Sequence, residues 1–176
     1  MRKFTYYFLL FLFSIHYCIG QEKLDVFDIA RKGTVEQVKQ VLKTNPNAFN
    51  TVNAEGYSPL TLASYRGNNE VAKILIENGC DINQKSSMGT PLMAAVVKGN
   101  VEIVRLLLNK NAEVDFADNN GTTALLYATM FKNKEIASLL IKANANPDIK
   151  DNRGNSSLDY AILANDDKLI EILKNK

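Results

Sequence analysis

Residues that could do acid/base chemistry are sparse in this chain of 176 residues. Asp28 and Asp159 could form a carboxylate pair of the kind that cleaves glycosidic bonds, which requires the two carboxyl groups to lie within about 10 Å. The single His, His16, lies in an apolar stretch near the start of the chain. The remainder therefore contains no His for a catalytic triad or for a Cys/His zinc site.

Two pairs of aspartates resemble calcium ligands: Asp115 with Asp118, and Asp148 with Asp151. Neither pair has the alternate-residue oxygen ligands or the final Glu of a calcium-binding loop. Asp is also common where a side chain accepts hydrogen bonds from the backbone of a turn. We interpret both pairs as turn-capping residues.

Cys80 and the glycines Gly67 and Gly99 also invite a chemical interpretation. Cys80 follows a helix at a position that suits a small buried side chain, so we expect an inert thiol rather than a reactive one. The two glycines lack the Gly-Lys-Ser/Thr sequence and preceding strand of a phosphate-binding loop, and short connections between helices explain them. The sequence therefore predicts no catalytic, cofactor-binding or metal-binding residue and no cofactor, and we expect a protein that is not an enzyme.

The N-terminal residues have the pattern of a secretory signal peptide. Residues 4–20 contain no Asp, Glu, Lys or Arg and follow Arg2 and Lys3. We expect a signal peptide over residues 1–20 with cleavage between Gly20 and Gln21. An uncleaved anchor is the alternative, although the apolar stretch is at the lower limit for a membrane-spanning helix.

The charge of the chain changes when the signal peptide is removed. The sequence has 21 basic and 19 acidic residues, so loss of Arg2 and Lys3 leaves 19 of each. A chain with this balance lacks the clustered excess of Lys and Arg that binds nucleic acid or anionic lipid. With 46% apolar and 23% charged residues, it can bury one sizeable core.

The sequence repeats itself with a period of about 33 residues. A glycine recurs at steps of 33, 32 and 33 residues, as expected where a turn requires positive φ. The glycines are Gly56, Gly89, Gly121 and Gly154. A second column contains only alanine: Ala30, Ala63, Ala95, Ala128 and Ala161. Such a column indicates helices that pack too closely for any larger side chain.

Each unit contains the start and stop signals of two short helices. The first helix is predicted to follow the capping residues Asp25, Ser58, Thr90, Thr123 and Ser156. The second is predicted to follow Thr34, Asn68, Asn100, Asn133 and Asp166. It is predicted to end at residues that adopt left-handed backbone readily, namely Asn45, Gly79, Asn111 and Asn144.

The segments Ser58–Ala63, Thr90–Ala95 and Val101–Leu108 resemble the ankyrin repeat and its T-P-L-H-x-A signature. The resemblance implies an all-α solenoid of five helix-turn-helix units with β-turn fingers, at about 21–52, 53–85, 86–117, 118–150 and 151–176. The signature His is replaced by Asp28, Thr61, Met93, Leu126 and Asp159, so we expect its hydrogen bonds to be weakened or remade. Gln40 and Lys174 place polar groups on the outer sides of the end units, as expected of a complete array.

Ankyrin repeat proteins typically bind other proteins on a concave surface, which here means the finger turns and the exposed side of the first helices. We call this surface the concave face. Exposed aromatic residues with Arg and Met are typical of binding hot spots. The predicted partner-binding residues are Tyr57, Tyr65, Arg66, Met88, Lys98, Phe131 and Arg153. Met130 and Leu163 instead could fold into gaps between repeats.

The repeat arrangement also bears on the carboxylate pair. Asp28 and Asp159 occupy the same column four units apart, about 40 Å at about 10 Å per helix layer, so acid/base catalysis by this pair is not expected. A self-associating scaffold of the cell envelope remains an alternative. We expect a monomeric, exported protein-binding module in the periplasm, or otherwise secreted, with no nucleic acid partner and no membrane insertion after cleavage. The partner's identity stays open.

Overall fold

The computed structural model describes residues 25–86 and 89–175, which form five consecutive pairs of helices. The first helices of the pairs are α1 (Val26–Lys32), α3 (Pro59–Arg66), α5 (Pro91–Lys98), α7 (Ala124–Met130) and α9 (Ser157–Leu163). The second helices are α2 (Val35–Thr44), α4 (Asn69–Glu77), α6 (Val101–Asn109), α8 (Lys134–Lys142) and α10 (Asp167–Lys174). This part of the chain contains two isolated β-bridges and no strand. The predicted all-α repeat fold is confirmed.

The helices stack in two layers. Each first helix contacts the first helix of the next unit, and each second helix contacts the next second helix. Contacts of this kind between neighbouring units build a solenoid. The core therefore runs along the whole stack instead of forming one central cluster.

The alanine column lies at the centre of the first-helix layer, where each of its five members is 0% exposed. Larger residues fill the space between layers, including Leu75, Leu107 and Leu140, which are also 0% exposed. Each such leucine contributes about 1.5–3 kcal/mol through burial of its side chain. The predicted helix register is confirmed.

Side-chain caps start nearly all of the helices. All five first helices have the predicted capping residue, and its side chain accepts a hydrogen bond from a backbone N–H of the first turn. Four second helices do the same. Asn68 is the exception, because its amide instead donates to the carbonyl oxygens of Gly33 at 3.0 Å and Ala30 at 3.4 Å. The helix begins after Asn68 as predicted, but the Asn68 side chain joins two units instead of capping the helix.

All four second helices with a predicted end finish within two residues of the predicted positions, and three of these four positions have the expected left-handed backbone. Gly79, Asn111 and Asn144 adopt left-handed backbone with φ of 77°, 61° and 64°. Asn45 is extended, with φ −143° and ψ 95°, so the prediction of left-handed backbone there was wrong. Pro46 follows Asn45, and its ring favours extended backbone in the preceding residue.

Backbone hydrogen bonds to side chains also join the units. Asn50, Asn83 and Asp115 each accept a hydrogen bond from a backbone N–H of the next unit. Within the fingers, Asp118 accepts from the N–H groups of Asn120 and Thr122 at 2.8 and 2.9 Å. Asp151 accepts in the same way from Arg153 and Asn155. The turn-capping interpretation of Asp118 and Asp151 is confirmed.

The residues that replace the signature His make different contacts in different units. Met93 and Leu126 are buried, whereas Asp159 accepts hydrogen bonds from the backbone N–H and hydroxyl of Ser156. The Thr61 hydroxyl pairs with the Ser58 hydroxyl at 3.0 Å. Thr61 and Asp159 thus make hydrogen bonds at the start of their own helices, whereas Asp28 pairs with Arg31.

None of the helices within 25–86 and 89–175 is both long and apolar enough to cross a bilayer. The predicted signal peptide over residues 1–20 and its cleavage site at Gly20–Gln21 lie outside the described residues.

Candidate functional site

A groove of about 460 Å³ lies on the concave face. It is formed by the end of α1, the finger before α3, and one side of α3, α5 and α7. The residues that line it are Arg31, Asn53, Glu55, Tyr57, Thr61, Leu62, Tyr65, Arg66, Met93, Ala94, Val97 and Tyr127. Four repeat units therefore contribute to one surface.

Ala94 forms the floor of the groove, because unit three alone has a small side chain at this repeat position. The residue immediately before the alanine column is Leu62 in unit two, Tyr127 in unit four and Tyr160 in unit five. Ala94 leaves open the space that a larger side chain fills in the neighbouring units. The resulting depression is bounded by Leu62 and Tyr65 on one side and by Tyr127 on the other.

Three of the predicted residues, Tyr57, Tyr65 and Arg66, line this groove. Tyr57 is half-buried, and its backbone N–H donates to the Asn53 side chain at 2.8 Å, which fixes the finger. Tyr65 is 51% exposed at the end of α3. The two rings therefore reach the same cavity from different elements.

Tyr127 has a fixed position in the wall of the groove. Its hydroxyl donates to the carboxylate of Asp118 at 2.7 Å. Burial and this hydrogen bond to the carboxylate raise the pKa of Tyr127 to about 12. The Phe131 ring stacks on Tyr127 with centroids 6.1 Å apart and planes 13° apart, so Phe131 extends the aromatic wall beyond the groove.

The other predicted residues are more scattered. Lys98 is exposed, and its side chain packs against Gly67, the residue that follows Arg66. A Cβ placed on Gly67 would lie 3.1 Å from the Lys98 side chain. Arg153 is exposed on the finger of unit five and does not line the groove. Met88 lies outside the described residues. The structure thus groups Tyr57, Tyr65 and Arg66, with Lys98 and Phe131 adjoining them.

Arg66 and the adjoining Lys98 give one end of the groove a positive charge that Glu55 offsets only in part. The charged lining residues of the groove are Arg31, Arg66 and Glu55. Arg31 is paired with Asp28 at 3.1 Å. Arg66 and Lys98 have no ion-pair partner within the described part of the chain. The positive charge near the end of α3 is therefore available to a ligand.

The sequence interpretation missed Ala94 and Tyr127. Comparison of the residues that precede the alanine column would have found both, since the column reads Ile29, Leu62, Ala94, Tyr127 and Tyr160. The suggestion that Met130 and Leu163 fold into gaps was wrong. They are 40% and 70% exposed because they point away from the alanine column.

Cys80 lies apart from this surface. It is 7% exposed, and burial raises the pKa of its thiol to about 11. A thiol with such a pKa contains little of the reactive thiolate at neutral pH. The prediction of a buried cysteine is confirmed, and the raised pKa supports the prediction that its thiol is inert.

The fold and the groove define an all-α repeat protein with a continuous surface along its first helices. A family model described as ankyrin repeats (3 copies) matches residues 26–118 and 110–176. Because these matches cover most of the chain, it belongs to the ankyrin repeat family.

Parts of the chain are similar to three proteins of other kinds. The chain is 32% identical over 102 residues to the Ankyrin repeat and SAM domain-containing protein 6 of Rattus norvegicus, which is 57% of this chain and 12% of that protein. It is 36% identical over 66 residues to the human Protein phosphatase 1 regulatory subunit 27, covering 37% and 43% of the two chains. It is 41% identical over 59 residues to the BTB/POZ domain-containing protein 3 of Schizosaccharomyces pombe, covering 34% and 11%. The matched segments span less than half of each relative.

Proposed function

We propose that this chain is a non-catalytic protein-binding module that recognises another protein through the concave face. The observation that carries the proposal is the groove around Ala94, where three tyrosines and an arginine without an ion-pair partner in the described chain converge. Tyr and Arg are enriched at binding hot spots because they bury a large area. The ankyrin repeat family is consistent with this role, and one relative is named a regulatory subunit of a phosphatase.

Export is the second part of the proposal. It is supported by the basic residues Arg2 and Lys3 and by the uncharged apolar stretch over residues 4–20. A chain rich in Asn and Lys behind such a leader is consistent with a bacterial periplasm or, failing that, with secretion. The partner would then be another exported protein.

The test truncates the aromatic residues of the concave face. A photo-crosslinking amino acid at position 65 first captures the partner in cells, with the same residue at position 110 as a control on the second-helix side. The affinity of the captured partner is then measured for Tyr57→Ala, Tyr65→Ala and Phe131→Ala. Each buried interface aromatic carries about 2 kcal/mol, so each change should weaken binding about thirtyfold. The melting temperature should stay nearly constant for the exposed Tyr65 and Phe131.

The control variants belong on the second-helix side of the stack. Lys73 and Arg105 are unsuitable, because they form ion pairs with Glu102 at 2.6 Å and Glu135 at 2.8 Å in the neighbouring helix. The exposed Lys110 and Lys168 are cleaner, because within the described chain they have no ion-pair partner. Loss of binding in Lys110→Ala or Lys168→Ala, with the aromatic variants unaffected, would contradict the proposal. The binding surface would then lie on the second-helix side.

Self-association is a second candidate function, favoured by the exposed apolar end of the stack. Ile162 is 52% exposed, whereas Val96 and Thr129 at the equivalent positions are buried beneath the next first helix. Light scattering separates the two functions. A monomer that binds a partner supports the module, and a concentration-dependent oligomer abolished by Ile162→Lys supports the scaffold.

A further inference from the structure

The shape and charge of the groove point to one class of occupant. We propose that it binds an extended acidic segment of the partner protein, which inserts one aromatic or large aliphatic side chain over Ala94. This inference rests on the proposed function and adds the chemistry of the ligand.

The apolar part of the proposal follows from the floor of the groove. Ala94 is 8% exposed and Met93 is 1% exposed, so the floor is apolar and closely packed beneath the surface. Leu62, Tyr65 and Val97 surround it with further apolar surface. Units four and five carry Tyr127 and Tyr160 at the position of Ala94. A side chain of that size fits the repeat geometry, and the partner would supply it here.

The acidic part follows from the charges at the end of α3 and α5. Arg66 is exposed in the groove lining, and Lys98 lies next to it across Gly67. Neither side chain has an acidic partner in the described residues, whereas Arg31 is already paired with Asp28. Arginine and lysine that are not neutralised within the protein attract a carboxylate from a ligand. Glu55, at the finger side, would repel a second carboxylate placed there, so the acidic residue should lie toward α3 and α5.

An extended segment suits the groove better than a compact ligand. The lining residues come from four consecutive units, so the surface continues along the stack in one direction. Phe131 continues the aromatic wall past Tyr127 and is 54% exposed. A peptide of several residues can contact Arg66, Tyr65 and the aromatic wall of Tyr127 and Phe131 at the same time.

The probe is a display library of random ten-residue peptides, selected on the full-length chain. Enriched sequences should contain Phe, Tyr, Trp or Leu next to Asp or Glu. One enriched peptide is then synthesised, and its affinity is measured by fluorescence anisotropy at low and high salt. Binding should weaken at high salt, because exposed ion pairs are screened.

Two variants and two matched controls test the placement. Ala94→Tyr should fill the floor, and Arg66→Glu should reverse the charge, so each should weaken peptide binding at least tenfold. Ala164→Tyr makes the same side-chain change in unit five, and Lys110→Glu reverses a charge on the second-helix side; both should stay within twofold of the parent. If the melting curve shows that Ala94→Tyr is unfolded, Arg66→Glu at its exposed position carries the test.

Several results would overturn the inference: a basic or uncharged consensus, no enriched peptide, equal binding to Ala94→Tyr when folded, or displacement of the peptide by a single-stranded oligonucleotide. These differ from failure of the proposed function, which is measured on the captured partner. Loss of partner binding in the aromatic variants without any acidic consensus would reject only the chemistry proposed here. Loss of partner binding in Lys110→Ala alone would reject the concave face as well.

Discussion

At the scale of single residues, the most informative feature is the backbone where the first helices end. Gly67 and Gly99 adopt left-handed backbone there, with φ of 75° and 72°. In unit four the same position is Lys132, with φ of 55°. A residue with a Cβ pays about 1–2 kcal/mol for this conformation. The repeat geometry therefore imposes strain on Lys132 that units two and three avoid.

Lys132→Gly should stabilise the protein by about 0.5–1 kcal/mol. Relief of the left-handed strain exceeds the extra chain entropy that glycine brings to the unfolded state. Thermal unfolding by circular dichroism measures the effect. Gly99→Ala is the matched control and should cost roughly 1 kcal/mol, because the left-handed backbone is unfavourable for alanine. A Cβ there meets only the Asn133 side chain at 3.8 Å, so no steric clash adds to this cost. A lower melting temperature for Lys132→Gly would contradict the argument.

Tyr127 should make stability depend on pH in the alkaline range. Its pKa is raised from 10.0 to about 12 in the folded state, so its contribution is complete below pH 10. Between about pH 10 and 12 the unfolded chain loses this proton first, and the free energy of unfolding should fall. Chemical denaturation across this range checks the slope. Tyr127→Phe removes the titrating group and should flatten it; an unchanged slope would show that other groups cause the loss.

At the scale of elements, the helices depend on their neighbours more than on their own length. The ten helices are only 7–10 residues long, which is too short for stability in isolation. Capping side chains begin nine of them, and the layers of alanine and leucine bury their inner faces. Close approach at the alanine column is thus a condition for the whole stack.

Ala95→Leu should destabilise the protein by about 1–3 kcal/mol through overpacking. Ala95 is 0% exposed at the centre of the first-helix layer, so the added carbons have no space. The free energy of unfolding in urea measures the change. Ala54→Leu, on an exposed finger tip, should stay within about 0.5 kcal/mol. If both variants have the same free energy of unfolding in urea, the assigned helix register is incorrect.

At the scale of the whole molecule, the stack presents two different surfaces. The second-helix side holds ion pairs between neighbouring helices, such as Lys73 with Glu102. The hydrogen bond from Lys73, with one from Asn69, lowers the pKa of Glu102. The concave face instead has the exposed aromatic side chains of Tyr65 and Phe131, with Arg66 beside Tyr65 in the groove. This difference in exposed aromatic side chains is the reason that we propose the concave face as the binding surface.

Export predicts a defined N-terminus for the processed protein. Cleavage by signal peptidase should leave Gln21 as the first residue. Intact-mass measurement of the protein recovered from the periplasmic or secreted fraction checks this expectation. A mass that includes residues 1–20 would favour the membrane anchor over the cleaved leader. Recovery of the protein with residues 1–20 in the cytoplasm would contradict export.

The sequence alone determined the repeat architecture, because short-range signals specify it. Capping residues, the alanine column and the glycine period act within one unit or between equivalent positions, so their spacing is visible in the chain. The errors at Asn45 and Asn68 arose where a neighbour decided the outcome. Pro46 extended one residue, and the carbonyls of Ala30 and Gly33 attracted the amide of the other.

The tertiary structure alone decided which residues form one site. Tyr57, Tyr65 and Arg66 were predicted as exposed residues, but only stacking places them around Ala94 with Tyr127 from two units further along. A depression results from the difference between one small side chain and its larger neighbours in adjacent layers. Ion pairing also depends on tertiary structure: Asp28 neutralises Arg31 and Glu102 neutralises Lys73, whereas Arg66 has no ion-pair partner among the described residues. Such properties depend on distances between units, which the spacing of residues in the sequence does not contain.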